Sequence, residues 1–477
     1  MFLSYLTYIY FFVLSFLPLN TWSQGFRGQP VSFMPNMVST DAEKTVSNIV
    51  FRKLVNVNPF TGEIKYDLLK KYEIKEDGLV YEVELKKNQF WQDGSPITAD
   101  DLLYTASLSS NLKEISSDKV DEYKVRFILP NKYSPFSSIL ALQIMPLHLQ
   151  DSANPIIPIG SGDFRIVRVK KDRAVVKEVV LVTTEDAYKF KKLVFKFYDS
   201  KDDLVVATKI REVDSVFSNS PQKFDGYNSR EYVFYGRSYL LVFNIEKDYL
   251  DTADRRNFAK SLDYSKILEN QEYTAGQIPH GPMSNTWADS EFYEKIEFDP
   301  SFKFKLRSDK ELNFVVPEIE EAKLIASNVK HQLESKNIAK VSVQTLPTED
   351  YVVKARDHDY DIILLAHEYG LDPDRYVFWH STQNKTGLNF SNFSTVRLDK
   401  SLEEGREELD IEKRKNHYNI FQTAFSEEAP ALFLLHPAQY FYYSNKIEGL
   451  PNKKVFYPWQ VFDDFKDWKI KQPKVVF

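Results

Sequence analysis

The stretch from Leu79 to Leu102 constrains the fold of this chain more than any other. Leu79-Val80-Tyr81-Glu82-Val83-Glu84-Leu85 alternates apolar with polar side chains, and a period of two describes a half-buried strand. A basic and aromatic connection runs from Lys86 to Trp91. Asp93-Gly94 then makes a turn, where glycine admits the positive φ that tight turns need. Thr98 with Asp101 three residues on opens a helix, the hydroxyl accepting from an otherwise orphaned N–H.

The length of 477 residues suggests about two to four domains. Hydrophobic residues make up 43% of the chain, enough for a sizeable core. The 62 basic and 68 acidic side chains leave a net charge of −6, so no nucleic-acid partner is implied. Cysteine is absent, which excludes disulfides, thiolate metal sites and a cysteine nucleophile. From Phe2 to Leu19 no residue is charged, and the run is just long enough to cross a bilayer core of about 30 Å as a helix. A cleaved secretory signal is the first reading and an uncleaved N-terminal anchor the second: no Lys or Arg precedes the run, and Asn20-Thr21-Trp22-Ser23 offers no small-x-small cleavage site. After Leu19 no segment is apolar enough to span a membrane.

Further along, Gln29 to Asn58 reads as strand, helix and strand, and Pro59-Phe60-Thr61-Gly62-Glu63 as a turn. Lys119 to Leu129 alternates as a strand, and Pro155 to Pro158 reads as a crossover between lobes. Gly160-Ser161-Gly162-Asp163-Phe164 feeds a further alternating run, and Ser161 lacks the G-x-S-x-G context of a nucleophile. Tyr239 to Asn244 is a strand, followed by Arg255-Arg256 on a helix. Asn244 either caps that strand on neighbouring backbone, the better-supported reading, or organises its cleft side. Between Leu312 and Leu365, strands alternate with a helix carrying Ala322, Ile325, Ala326, Val329 and Leu333, which predicts a largely parallel sheet. Arg356-Asp357-His358-Asp359-Tyr360-Asp361 holds metal-ligand types, but on a strand entry alternate residues face opposite ways and three ligands do not converge. No metal and no cofactor is expected.

Taken in order, these blocks resemble bacterial extracellular solute-binding protein family 5, the oligopeptide- and dipeptide-binding proteins. The resemblance runs from about Val46 to Leu450. It implies a receptor, not an enzyme, that captures a solute outside the cell and hands it to an ABC importer. The missing cysteine also excludes the lipidated N-terminus that tethers many relatives. The implied fold is α/β, two-lobed and periplasmic-binding-protein-like (type II, cluster C-like), with an insertion subdomain and a hinge. Its divisions are a signal or anchor at 1–24, lobe I at 25–50, 154–236 and 445–477, the insertion at 51–153, and lobe II at 237–444.

The resemblance also places the solute. Ala366-His367-Glu368-Tyr369-Gly370-Leu371-Asp372-Pro373 is similar to the family's "W-x-x-D-x-x-D/E-P" segment at the cleft, whose middle Asp pairs with the ligand's α-ammonium in peptide-binding members. Aligned without a gap, that position is Tyr369 and the aromatic position is Ala366. Glu368 takes the role if the loop shifts by one residue; otherwise the ligand has no free amine, as in a sugar, a blocked peptide or a metal chelate, with His367 and Tyr369 as polar or stacking contacts. An anionic partner offsets the lost hydration of a buried cation, so this position bears directly on specificity. Tyr239, Asn244, Trp379 and Asn389 complete the implied ligand-binding set. The implied partners are a short peptide and ABC permease subunits, with membrane contact through the N-terminal segment or the permease, for a periplasmic or extracytoplasmic monomer. A sensory receptor on the same fold and a secreted hydrolase are the alternatives, the second without a visible catalytic motif.

Overall fold

A computed structural model describes residues 20–268, 276–450 and 452–471. The apolar run from Phe2 to Leu19 lies outside the described residues. Among those described, no helix is long and apolar enough to cross a membrane.

The first lobe is built on a seven-stranded sheet, ordered Tyr227–Val233, Ala438–Ser444, Ser215–Ser218, Thr21–Arg27, Lys192–Tyr198, Val175–Val182 and Arg165–Asp172. Thr21–Arg27 sits inside this sheet, parallel to both neighbours. The boundary expected at residue 24 therefore falls within a strand. Trp22 is fully buried against Phe462 and Trp468, and Ser23 donates its N–H and its hydroxyl to Asp214 at 2.9 and 2.7 Å. Thr21 to Gln24 belong to lobe I because their backbone and side chains are already committed there. No strand starts at Gln29; the chain instead runs as a loop into the helix Asp41–Val50.

The insertion carries a four-stranded antiparallel sheet, ordered Leu69–Lys75, Val80–Leu85, Lys124–Ile128 and Ser116–Asp121. Val80–Leu85 buries Tyr81 and Val83, as the alternation requires. Gly94 has φ +90, and the Asp101 carboxylate accepts from the Thr98 N–H at 2.8 Å to open the helix Ala99–Leu108. The single strand expected over Lys119–Leu129 is a hairpin, because Asp121-Glu122-Tyr123 turns the chain: the Asp121 side chain accepts from the Tyr123 N–H. Insertion and first lobe share one continuous core from Trp22 through Tyr81, Trp91 and Phe127 to Trp468. Pro155 lies within this body, its carbonyl accepting from the Phe33 N–H at 2.7 Å, so the expected lobe crossover there is a return from the insertion.

Gly160 to Gly162 fastens the body together. Ser161 and Gly162 donate their N–H groups to the Val50 carbonyl at the end of the helix Asp41–Val50, and the Gly160 N–H and carbonyl bond to Gln92 of the insertion. The Ser161 hydroxyl accepts from the Arg52 N–H at 3.0 Å, which occupies it structurally. A Cβ on Gly160 would lie 2.0 Å from the Val50 carbonyl oxygen. Gly160→Ala is therefore expected to cost about 3 kcal/mol through forced backbone displacement, read as a fall in the urea midpoint at unchanged m-value.

The second lobe has a five-stranded sheet, ordered Val341–Leu346, Leu312–Pro317, Ile362–Glu368, Arg237–Phe243 and Ala431–Leu435. The first three are parallel, joined by the helices Glu320–Ser335 and Thr348–Arg356, as the alternation of patterns predicts. Arg237–Phe243 is antiparallel to both neighbours. Apolar cores cover both faces of the sheet. The chain crosses between lobes at Phe234–Gly236 and at His436–Pro437, side by side, with the Phe234 N–H on the Pro437 carbonyl at 2.9 Å. The second crossing thus comes before 444, since Ala438–Ser444 already pairs within the first lobe's sheet. A third strand of the hinge is the C-terminal segment, where the Gly236 N–H donates to the Phe456 carbonyl at 2.7 Å.

Candidate functional site

Parallel strands of an α/β sheet present ligands at their carboxyl ends. Here those ends are Leu346, Pro317 and Glu368, and Glu368 meets the first turns of the helix Asp41–Val50 across the gap between the lobes. That helix is opened by Thr40 and Glu43 in a capping box. The Glu43 side chain is fully buried and accepts from the N–H groups of Val31, Ser32, Ser39 and Thr40 and from the Ser39 hydroxyl. Burial opposes its charge, but those N–H groups outweigh burial and hold the carboxyl down to about 2. The device fixes the loop from Val31 to Thr40 and aims the helix's first polar residues at the other lobe.

Asp41 and Lys44, three residues apart and so on one helix face, meet Arg237 and Glu368 there. The Arg237 guanidinium forks onto Asp41 at 2.9 and 2.5 Å and onto Glu368 at 2.9 and 2.8 Å. Lys44 Nζ stands 2.8 Å from the other Glu368 oxygen. Burial disfavours the Glu368 charge, yet Lys44 and Arg237 more than compensate and keep the carboxyl below its ordinary value. Lys44 and Arg237 also lie over the Trp459 ring, 4.7 and 5.9 Å from its centroid. Opposed pairs in an antiparallel register share a face, so Arg237 with Glu368 and Tyr239 with Ala366 all point the same way. On that face the Tyr239 hydroxyl donates to Glu321 at 2.9 Å, and Asn219 of the first lobe donates to the same carboxylate. Burial raises the Glu321 pKa, with Tyr239 and Arg237 opposing.

Trp459 also walls a cavity of about 1000 Å³ that reaches the insertion and is lined among others by Thr45, Asn48, Arg52, Lys454 and Gln460. The turn at Pro59-Phe60 closes one side and touches the second lobe, its Pro59 carbonyl accepting from the Trp287 N–H at 3.0 Å. Its volume is at the upper end of the small-molecule range, and its lining is richer in charged side chains than such sites usually are. All of that lining comes from the first lobe, the insertion and the C-terminal segment.

The seven residues named from sequence separate in the structure. Glu368 and Tyr239 stand at the gap. His367 and Tyr369 lie on the opposite face of the strand end, where the His367 ring packs on Phe378 at 4.6 Å and the Arg375 guanidinium covers Tyr369 at 4.2 Å. Burial, and then Arg375, push the His367 pKa down to about 3, so its imidazole is neutral. Asn244, Trp379 and Asn389 do not reach the gap. Asn244 donates to the carbonyls of His358 and Tyr360 as a strand-end cap. Trp379 is buried edge-on against Phe425, and Asn389 is fully buried and gives its amide to the carbonyls of Trp379, His380 and Phe393. Arg356 to Asp361 shows no metal geometry: Asp361 accepts from the Tyr249 hydroxyl and the Asn313 N–H, and His358 approaches the Asn389 carbonyl. Among the described residues no group of three or more His, Asp or Glu is placed to hold a metal ion. Asp41, Lys44, Arg237, Asn219, Glu321 and Trp459 were not singled out from sequence. Asp41 and Lys44 carried one signal, a charged pair at helical spacing just after a cap, with nothing to identify a partner.

A two-lobed α/β body with a polar gap at the strand ends and a three-segment hinge defines a solute-binding protein. The chain belongs to the family of bacterial extracellular solute-binding proteins, family 5, whose middle-region model matches residues 63–389. It is 23% identical over 481 residues to the oligopeptide-binding protein AppA of Bacillus subtilis, covering 89% of this chain and 88% of that protein. It is 21% identical over 475 residues to the dipeptide-binding protein of Escherichia coli, covering 86% and 88%. A putative peptide-binding protein AppA of Clostridium difficile has the same fold, with a TM-score of 0.80 at 18% identity over 94% of this chain and all of that one.

Proposed function

We propose that this protein captures a peptide-like solute between its two lobes and delivers it to the permease of an ABC importer, acting outside the cytoplasm as a monomeric binding protein and not as a catalyst. The carrying observation is the meeting of Asp41 and Lys44 from one lobe with Arg237 and Glu368 from the other, beside a cavity walled by Trp459. The cavity itself is lined by the first lobe, the insertion and the C-terminal segment. A solute therefore bridges the lobes where it extends past Trp459 to Arg237 and Glu368, and that contact favours the closed member of a hinge equilibrium. Family membership and the peptide-binding relatives support the solute class. Tyr239 and Glu368 present the second lobe's side of the gap and Trp459 the first lobe's; His367 and Tyr369 support the strand end from behind.

Thermal unfolding against a short-peptide library tests this. A peptide at a hundred times its dissociation constant stabilises the fold by about 2.7 kcal/mol, and the melting temperature rises accordingly. Trp459→Ala is expected to abolish the rise while leaving the unliganded protein folded. Absence of any rise across the library, with no change in X-ray scattering on addition of peptides, would remove peptide capture as the function.

A further inference from the structure

The acidic group that faces the gap at the end of the second lobe's sheet is already neutralised, and by the chain itself. Glu368 has a side chain 39% exposed, so a solute can reach it. One of its oxygens takes Lys44 at 2.8 Å, and the other takes two nitrogens of Arg237 at 2.9 and 2.8 Å. Arg237 spends its remaining fork on Asp41. Asp41 and Glu368 against Lys44 and Arg237 leave no net charge. The other nearby acid, Glu321, holds the Tyr239 hydroxyl and the Asn219 amide, which occupy its oxygens with neutral donors.

A solute ammonium brought to this wall would have to displace Lys44 from Glu368. It would exchange one cation for another and leave Lys44 without its partner, so little selectivity remains for a charged amine. We infer that Lys44 serves as the built-in cation of Glu368, so that the protein recognises its solute without a free ammonium at this position. The inference rests on the peptide-capture reading and narrows it: the favoured solutes present a blocked, neutral or anionic end to the wall formed by Asp41, Lys44, Arg237 and Glu368.

The test compares Ala-Ala-Ala with N-acetyl-Ala-Ala-Ala by calorimetric titration of the full chain, in the wild type and in Lys44→Met. Alongside, the Glu368 carboxyl is titrated by carbon NMR in both proteins without peptide. In the wild type, acetylation is expected to change affinity less than 3-fold. In Lys44→Met the uncovered carboxylate is expected to prefer the free amine by 10-fold or more, and the Glu368 titration to move upward. A wild-type preference for the free amine of 10-fold or more overturns the inference and leaves peptide capture standing. A Glu368 titration that does not respond to Lys44→Met overturns it whatever the peptides do. A responsive Glu368 with neither peptide binding supports the self-neutralised wall and counts against peptide capture instead. Lys44→Gln, which keeps a polar side chain on the helix, repeats the comparison if the methionine variant unfolds.

Discussion

Replacing Glu43 by glutamine is expected to lower the unfolding free energy by about 3 kcal/mol, because a buried acceptor of several N–H groups becomes half a donor. Four backbone N–H groups and one hydroxyl converge on this carboxylate, and an amide nitrogen would face at least one of them donor to donor. The loss extends beyond stability. The loop from Val31 to Thr40 aims Asp41 and Lys44 at the second lobe, so solute affinity should fall with it. The folded carboxyl sits at about 2 against an ordinary 4.5, so its stabilisation is complete above pH 4.5 and disappears as the pH falls toward 2. In Glu43→Gln this acid-dependent step should be missing from the stability–pH curve. Equal urea midpoints for wild type and variant at pH 7 would show that the loop is held by something else.

A second, larger pH effect is expected at milder acidity. His436 and both ring nitrogens of His367 are buried, and that burial moves His367 down to about 3 and His436 to about 4. For His436 the Arg237 carbonyl, which accepts from Nδ1 at 2.7 Å, works against the fall, and Arg375 adds to it. The unfolded chain takes up protons at ordinary histidine pKa values, near 6.5, which the folded form refuses. Stability should therefore decline as the pH drops below 6.5, by up to about 1.4 kcal/mol per pH unit for each histidine. The decline attributable to His436 ends near pH 4, and that of His367 near pH 3. Urea midpoints measured from pH 7 to pH 4 check this, and His367→Phe should make the curve shallower by about half. A midpoint that is flat between pH 7 and pH 5 would mean that neither histidine is held neutral in the folded protein.

The local elements were legible because they depend on neighbours in sequence. The strand Val80–Leu85, the glycine turn and the capped helix Ala99–Leu108 follow from a period of two, a positive φ and a hydroxyl three residues from a carboxylate. The parallel strands Leu312–Pro317, Val341–Leu346 and Ile362–Glu368 follow in the same way. The turn at Asp121 was hidden, since alternation continues through it with no glycine or proline to mark a reversal. The strand at Thr21 was hidden too, because it joins directly onto an apolar run that reads as a membrane-directed segment.

The candidate site divides along the same line. Sequence by itself determined the family, the succession of elements and the strand end that carries Glu368. It also brought forward Asn244, Trp379 and Asn389, whose residue types suit a cleft and suit a buried cap equally well. Only the tertiary structure decided between those uses, by supplying their carbonyl partners. Only the tertiary structure, too, set Lys44 against Glu368, 324 residues apart in the chain. A charge on a helix turn looks the same in sequence whether it meets water or a carboxylate from another lobe. The pairing is made by the hinge, which brings together two surfaces that no local pattern relates.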